Sequence, residues 1–405
     1  MPEFFEKRYD SKALKIAASF ITFIFLIPYT ASLYNGLSRL FEMAFGIDYM
    51  WCVVGMSILT GIYVIAGGYM ATAISDFIQG IIMLIGIVAV IWAVLSNHGG
   101  FIGAINELAS VPVPESAGPA AAQGAFASMF GPDPVSLFGV IILTSLGTWG
   151  LPQMVQKFYA IKSEKSISRG TIISTIFAVI VAGGCYFLGG FARISGVDSV
   201  DGVPVGGFDA VIPKMLESLP NVLMAIVIVL VLSASMSTLS SLVLTSSSTL
   251  TLDFVKGNIV KNMSEKRQVS LVRVFVVIFI IISAVIAIFQ HKSQGSAVAF
   301  IAQLMGVSWG ALAGAFLAPF LYGLYAKWVT KAACWTSMIF GAGIMVLNLL
   351  CRSSFPTLLQ SPINCGAFAM ITSLILVPLV SLISKKTDAK FIDAAFEGIQ
   401  TRLED

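Results

Sequence analysis

The stretch Ser233–Asp253, SASMSTLSSLVLTSSSTLTLD, follows an unbroken apolar run from Val222 to Leu232. Together they read as one membrane-spanning helix whose second half carries twelve Ser and Thr residues and ends on an Asp. At helical spacing, Ala234, Ser237, Thr238, Ser241 and Thr245 share a face. Hydroxyls on such a face offer neutral oxygens without a buried charge, which suits a desolvated monovalent cation. Alternatively, each hydroxyl bonds the carbonyl four residues back or lets helices pack closely.

The composition sets the class. The chain has 405 residues, 57% hydrophobic and 11% charged, with a mean hydropathy of +0.91. That describes a polytopic membrane protein. A net charge of +3 gives no footprint for nucleic acid. The two histidines, His98 and His291, allow no Ser-His-Asp or metal-hydrolase constellation, so an enzyme is not expected. The five cysteines, spaced singly along apolar runs, read as buried free thiols. No charge ring or repeated filter loop suggests a channel.

Hydropathy predicts ten spans: Ala13–Phe45, Tyr49–Gly67, Asp76–Leu95, Val135–Ala160, Gly170–Ile194, Asn221–Phe254, Ser270–Phe289, Ser296–Tyr325, Thr330–Leu350 and Cys365–Ile383. Nineteen Lys and Arg fall in one set of alternate loops. Only Arg39, Arg193, Lys214, Lys292 and Arg352 fall in the other. The positive-inside rule then puts both ends of this chain in the cytoplasm. Residues 96–134 read as an irregular loop on the far side, Phe208–Leu219 as a short interfacial helix, and the tail after Lys385 as a short amphipathic helix. Gly147, Gly150 and Pro152 interrupt the span Val135–Ala160; a broken helix is tolerated at membrane depth where it lines an enclosed cavity, the other reading being a plain proline kink.

Three segments carry a resemblance: GGYMATAISDFIQGIIML (Gly67–Leu84), GLPQMVQKFYAIKS (Gly150–Ser163) and SASMSTLSSLVLTSSSTLTLDF (Ser233–Phe254). In order and spacing they are similar to the sodium:solute symporter family. The resemblance implies an all-α, LeuT-type inverted-repeat fold and secondary active symport by alternating access in the cell membrane. Na+ would be the coupling ion, with a small carboxylate, amino-acid-like or pantothenate-like solute. Oligomeric state stays open.

Carried over by position, the family's sodium site takes the hydroxyls of Ser237 and Thr238 and the carbonyl of Ala234. Asp76 matches an acidic residue on the sodium exit path, although a carboxylate there also suits a helix N-terminus. Tyr29 matches a tyrosine facing the central cavity; taken alone, it is equally an ordinary core aromatic. The resemblance further places the solute around Thr144, Thr148, Trp149 and Pro152. Proline carriers have Trp and Tyr where this chain has Thr144 and Thr148, which favours a more polar solute.

The implied organisation is three helices of the first repeat over 1–95, the loop over 96–134, a five-helix second repeat over 135–325, two further helices over 326–384 and a tail over 385–405. Against the family, about three helices before MPEFFEKRY are expected to be missing, and with them the rest of the sodium shell. The alternative expectation is a truncated, non-transporting member that serves as a partner subunit or is a decaying gene product.

Overall fold

The computed structural model describes residues 1–114, 117–158, 161, 163–197, 199–200, 203–204, 207–217, 219–260, 262–292 and 301–400. Among them, nine helices are long and apolar enough to cross a membrane, or ten with a bent pair counted as one span. The chain is a multi-pass membrane protein.

A short helix α1 (Pro2–Tyr9) leads into α2 (Lys12–Phe45), which starts where the Ser11 hydroxyl accepts the Leu14 N–H at 3.4 Å. It ends at Gly46, whose φ of 65° closes the last turn. Helical hydrogen bonding then runs unbroken over Tyr49–Asn97, which contains no proline. The partners along this run show that it folds back on itself. Tyr49 bonds the Ala287 carbonyl and Thr60 meets Met236, Asp76 shares a cavity with Ser240–Thr245, and Gly86 returns to Leu230. A straight helix of that length, at ~1.5 Å per residue, would overrun the bilayer more than twofold. The run therefore makes two spans, α3 (Tyr49–Gly67) and α4 (Ala73–Asn97).

The segment expected to be irregular begins with a helix, α5 (Gly100–Ser110), before turning irregular. The anticipated break is present. Helix α6 (Pro134–Ser145) tightens into a 3₁₀ turn at Gly147–Gly150, and α7 (Pro152–Phe158) departs from it at 48°. Tyr159 and Ala160 lie outside the described residues. Helix α8 (Glu164–Gly190) is the least covered span among the described residues; Ile172, Ile173, Ile176 and Val179 are all exposed. A two-residue antiparallel ladder (Ser199–Val200 with Val203–Pro204) precedes α9 (Val211–Glu217), the short helix expected there.

Then come α10 (Asn221–Ser248), widened over Thr249–Ile259 into a π-helical stretch, and α11 (Glu265–Lys292). The last four are α12 (Ile301–Tyr325), α13 (Lys331–Leu350), α14 (Pro362–Ile383) and the amphipathic tail α15 (Ala389–Gln400). Residues 293–300 and 401–405, parts of the expected last repeat span and tail, lie outside the described residues.

Helix α12 is the core, buried over 89% of its most apolar window. Gly306, Gly310 and Gly314 recur every fourth residue, so neighbouring backbones approach it closely. A Cβ on Gly310 would sit 2.7 Å from the Gly366 Cα of α14. Ser337 of α13 and Ser373 of α14 both donate to the Gly314 carbonyl, at 3.2 and 2.6 Å. Cys52, Cys334 and Cys365 are buried as expected, but Cys185 and Cys351 are exposed. Cys185 sits on α8, which few helices cover.

Candidate cation and solute site

Helix α10 packs one side against the core and leaves Ala234, Ser237, Thr238 and Ser241 half-buried on a common face. Three oxygens converge there. The Ser237 hydroxyl donates to the Ala234 carbonyl at 3.2 Å, and the Thr238 hydroxyl donates to the same carbonyl at 3.0 Å. Both protons point at one acceptor, so each hydroxyl oxygen keeps its lone pairs for a further partner. Ser240, Ser248 and Thr251 likewise bond back into their own helix, to Ser237, Thr245 and Ser247, whereas the Ser246 and Ser247 hydroxyls are buried without a partner. Thr245 differs: it donates across to the Gln156 side chain of α7 at 2.6 Å.

The break between α6 and α7 is held by close packing. Gly150 lies against α12, where a Cβ would be 2.8 Å from the Ala313 Cα. Pro152 is buried and opens α7. The Thr144 hydroxyl donates to the Val140 carbonyl at 2.8 Å and that of Thr148 to the Ser145 carbonyl at 3.0 Å, so both are satisfied within their own turn. Trp149 is 58% exposed, and the structure does not enclose it with Tyr29. Tyr29 instead packs edge-on against Trp309 of α12 at 5.7 Å, and Trp309 lies beside Gly147. Sequence reasoning missed Trp309, whose indole N–H is buried without a partner.

Below the three oxygens, a cavity of about 250 Å³ is lined by Asp76, Gln153, Gln156, Lys157, Ser240, Ser241 and Thr245, among others. Asp76 pairs with Lys157 at 3.8 Å, while its other oxygen is buried without a partner. Asp76 lies in the first turn of α4, where a carboxylate also suits the helix N-terminus. Gln153 is buried with both amide atoms unpartnered. The signal for Gln153, Gln156 and Lys157 was the run PQMVQKF directly after the break, with polar residues three and four apart.

At the opposite end of the helices, Asp209 ties three elements together. Its carboxylate accepts the Ile301 N–H that opens α12 at 3.1 Å, and the Asn35 amide of α2 at 3.3 Å. Arg39 stands 3.9 Å away, and Asn35 also accepts from Arg39 and from Tyr49 of α3. Burial pushes the Asp209 carboxyl above the ordinary carboxylate range, against the smaller opposite pull of the Ile301 N–H, Arg39 and Asn35. A carboxyl raised in the folded state binds its proton more tightly there than in the unfolded chain. Its contribution to stability is present at low pH and is lost as pH rises through the raised value. Lowering pH towards the ordinary carboxylate range should therefore favour folding more in the wild type than in Asp209→Asn. Thermal melts of both proteins between pH 7 and 4 check this; parallel curves would contradict it.

The sequence profile of the sodium:solute symporter family matches residues 1–341. The chain belongs to that family, one of transporters rather than enzymes. Sodium/proline symporters of Staphylococcus aureus, including those of strains JH9 and Newman, are 28% identical to it over 357 residues. The match covers 86% of this chain and 65% of each relative, so the chain spans about two-thirds of their length. In fold it is similar to a Na+-coupled sialic acid symporter solved in a substrate-bound outward-open state. The TM-score is 0.67 at 16% identity, over 96% of this chain and 78% of that one. The fold is the LeuT-type inverted repeat.

Proposed function

We propose that this protein couples inward sodium movement to the uptake of a small carboxylate-bearing solute, amino-acid-like or pantothenate-like, by alternating access across the cell membrane. Both ends of the chain face the cytoplasm, as the loop charges require. The observation that carries the reading is the convergence of the Ala234 carbonyl with the Ser237 and Thr238 hydroxyls. One turn further on, Ser241 opens onto the cavity that holds Asp76. Sodium leaves the three oxygens along that face and meets the Asp76 carboxylate, displacing Lys157 from it. Thr144, Thr148, Trp149 and Pro152 at the break, with Tyr29 reached through Trp309, form the solute side. The names of the relatives, sodium/proline symporters, and of the Na+-coupled structural neighbour point to the same coupling ion.

Reconstituted vesicles test it. Under an inward sodium gradient, labelled L-proline or pantothenate should accumulate, and replacing sodium by choline should abolish the uptake. Asp76→Asn should slow sodium-driven turnover about tenfold, equivalent to ~1.4 kcal/mol in the barrier. Uptake indifferent to sodium would refute the coupling, and wild-type turnover in Asp76→Asn would remove that residue from the path.

A further inference from the structure

A larger cavity, about 750 Å³, lies between α1, α7, the π-helical end of α10 and α15. Arg8 of α1 lines it, yet the residue is only 3% exposed. Its guanidinium is fixed on one side: Nε donates to the Gly323 carbonyl at 2.8 Å and Nη2 to the Ala326 carbonyl at 2.7 Å. Those carbonyls close the C-terminal end of α12, which is a favourable place for a cation. Nη1 is buried without a hydrogen-bond partner.

The two lysines near this cavity have partners. Lys7 pairs with Glu3 at 2.8 Å, and Lys15 with Glu6 at 2.8 Å. Among the described residues, no carboxylate pairs with Arg8 within 4.0 Å. Two rings flank the guanidinium: Tyr9 of its own helix lies 5.2 Å from its Cζ, and Phe396 of α15, the movable one, lies 5.1 Å away, held there by the Lys327–Asp393 pair at 2.7 Å. A buried, pinned guanidinium with an unused edge, facing a cavity under an aromatic cover, is an incomplete anion site.

We propose that Arg8 is the anion-recognition group of a second, exit-side solute subsite, whose ligand is a small monocarboxylate that takes the place of the Phe396 ring. The inference rests on the carrier reading above and deepens it. A carboxylate offers planar paired oxygens to the free edge of a guanidinium. Thr245, Ser248, Thr249 and Gln156 line the same space and meet the polar remainder of the solute. Its volume falls within the range of small-molecule sites, roughly 300–1,000 Å³. Glu3 and Asp253 in the same wall disfavour a dianion such as phosphate. A solute leaving the central site along α7 and α10 reaches Arg8 before open solvent, and moving α15 aside lets it go.

Labelling with phenylglyoxal, an arginine-selective reagent, tests this on the whole protein, with the Arg8 peptide followed by mass. Sodium acetate, L-proline or pantothenate should slow Arg8 labelling at least threefold, while acetamide and L-prolinamide should not. Phe396→Ala, and Phe396→Leu as a milder variant, should speed labelling at least fivefold without carboxylate and restore slow labelling with it. Equal labelling with and without the carboxylates, or equal protection by the amides, would overturn the subsite; unchanged rates in both Phe396 variants would overturn the cover. The wild-type protection measurement needs no substitution and so stands whether or not the variants fold. Sodium-driven uptake is read separately on the same vesicles. Protection without uptake leaves the subsite and removes the carrier reading, whereas uptake without protection removes the subsite alone.

Discussion

Gly341→Ala is expected to destabilise the protein by about 3 kcal/mol, at the severe end for an added methyl in a packed core. A Cβ at Gly341 would lie 2.1 Å from the Gly314 carbonyl carbon and 2.4 Å from the Ala315 nitrogen. Both are backbone atoms of α12, the most buried helix, so no side chain can turn away. Relief requires α13 to move off α12. That movement strains the hydrogen bond that the Ser337 hydroxyl shares between the Gly314 and Ala315 carbonyls, at 3.2 and 3.0 Å, worth roughly 0.5–1.5 kcal/mol. Gly343→Ala supplies the control, because nothing lies within 4 Å of a Cβ there. It should be neutral, or gain up to about 1 kcal/mol from helix propensity. Thermal unfolding in detergent separates the two. A Gly341→Ala protein melting with the wild type would mean that α12 and α13 do not cross this closely.

Ser237→Ala and Thr238→Val should each raise the sodium concentration for half-maximal uptake about tenfold or more, leaving the rate at saturating sodium near the wild-type value. Each removes one of the three converging oxygens, and a contact to a full charge is worth ~1.5–3 kcal/mol. The hydroxyl must also be replaced for the cation, since the valine methyl that stands in for Oγ1 donates nothing. Thr238→Ser should keep wild-type sodium dependence. Thr251→Val is the positional control: its hydroxyl only bonds the Ser247 carbonyl. Sodium-dependent uptake curves for the four variants decide. Unchanged half-saturation in both Ser237→Ala and Thr238→Val would place the cation elsewhere.

Much of the architecture was legible in the residues. A segment in hydrocarbon must satisfy its backbone internally, so long apolar runs become helices wherever they occur. The spans, the break at Gly147–Pro152 and the short helix after Phe208 followed from that rule and from the local effects of Gly and Pro. The convergence on the Ala234 carbonyl was legible too, because residues three and four apart meet on any helix. The stripe Gly306, Gly310 and Gly314 was available in the sequence as a close-packing signal, and it marks the core helix.

Other features needed the tertiary structure. Tyr29 meets Trp309, Asp76 meets Lys157, and Asp209 meets Asn35 and Ile301, all across long stretches of chain. Arg8 finds its carbonyls more than three hundred residues away, under a ring from α15. The sequence by itself determined which segments are helices, where one breaks and which oxygens share a turn, because those depend on hydropathy and on backbone sterics within a few residues. Only the tertiary structure decided which polar groups find partners and which stay unpartnered beside a cavity, because burial and pairing are set by whichever helices pack alongside.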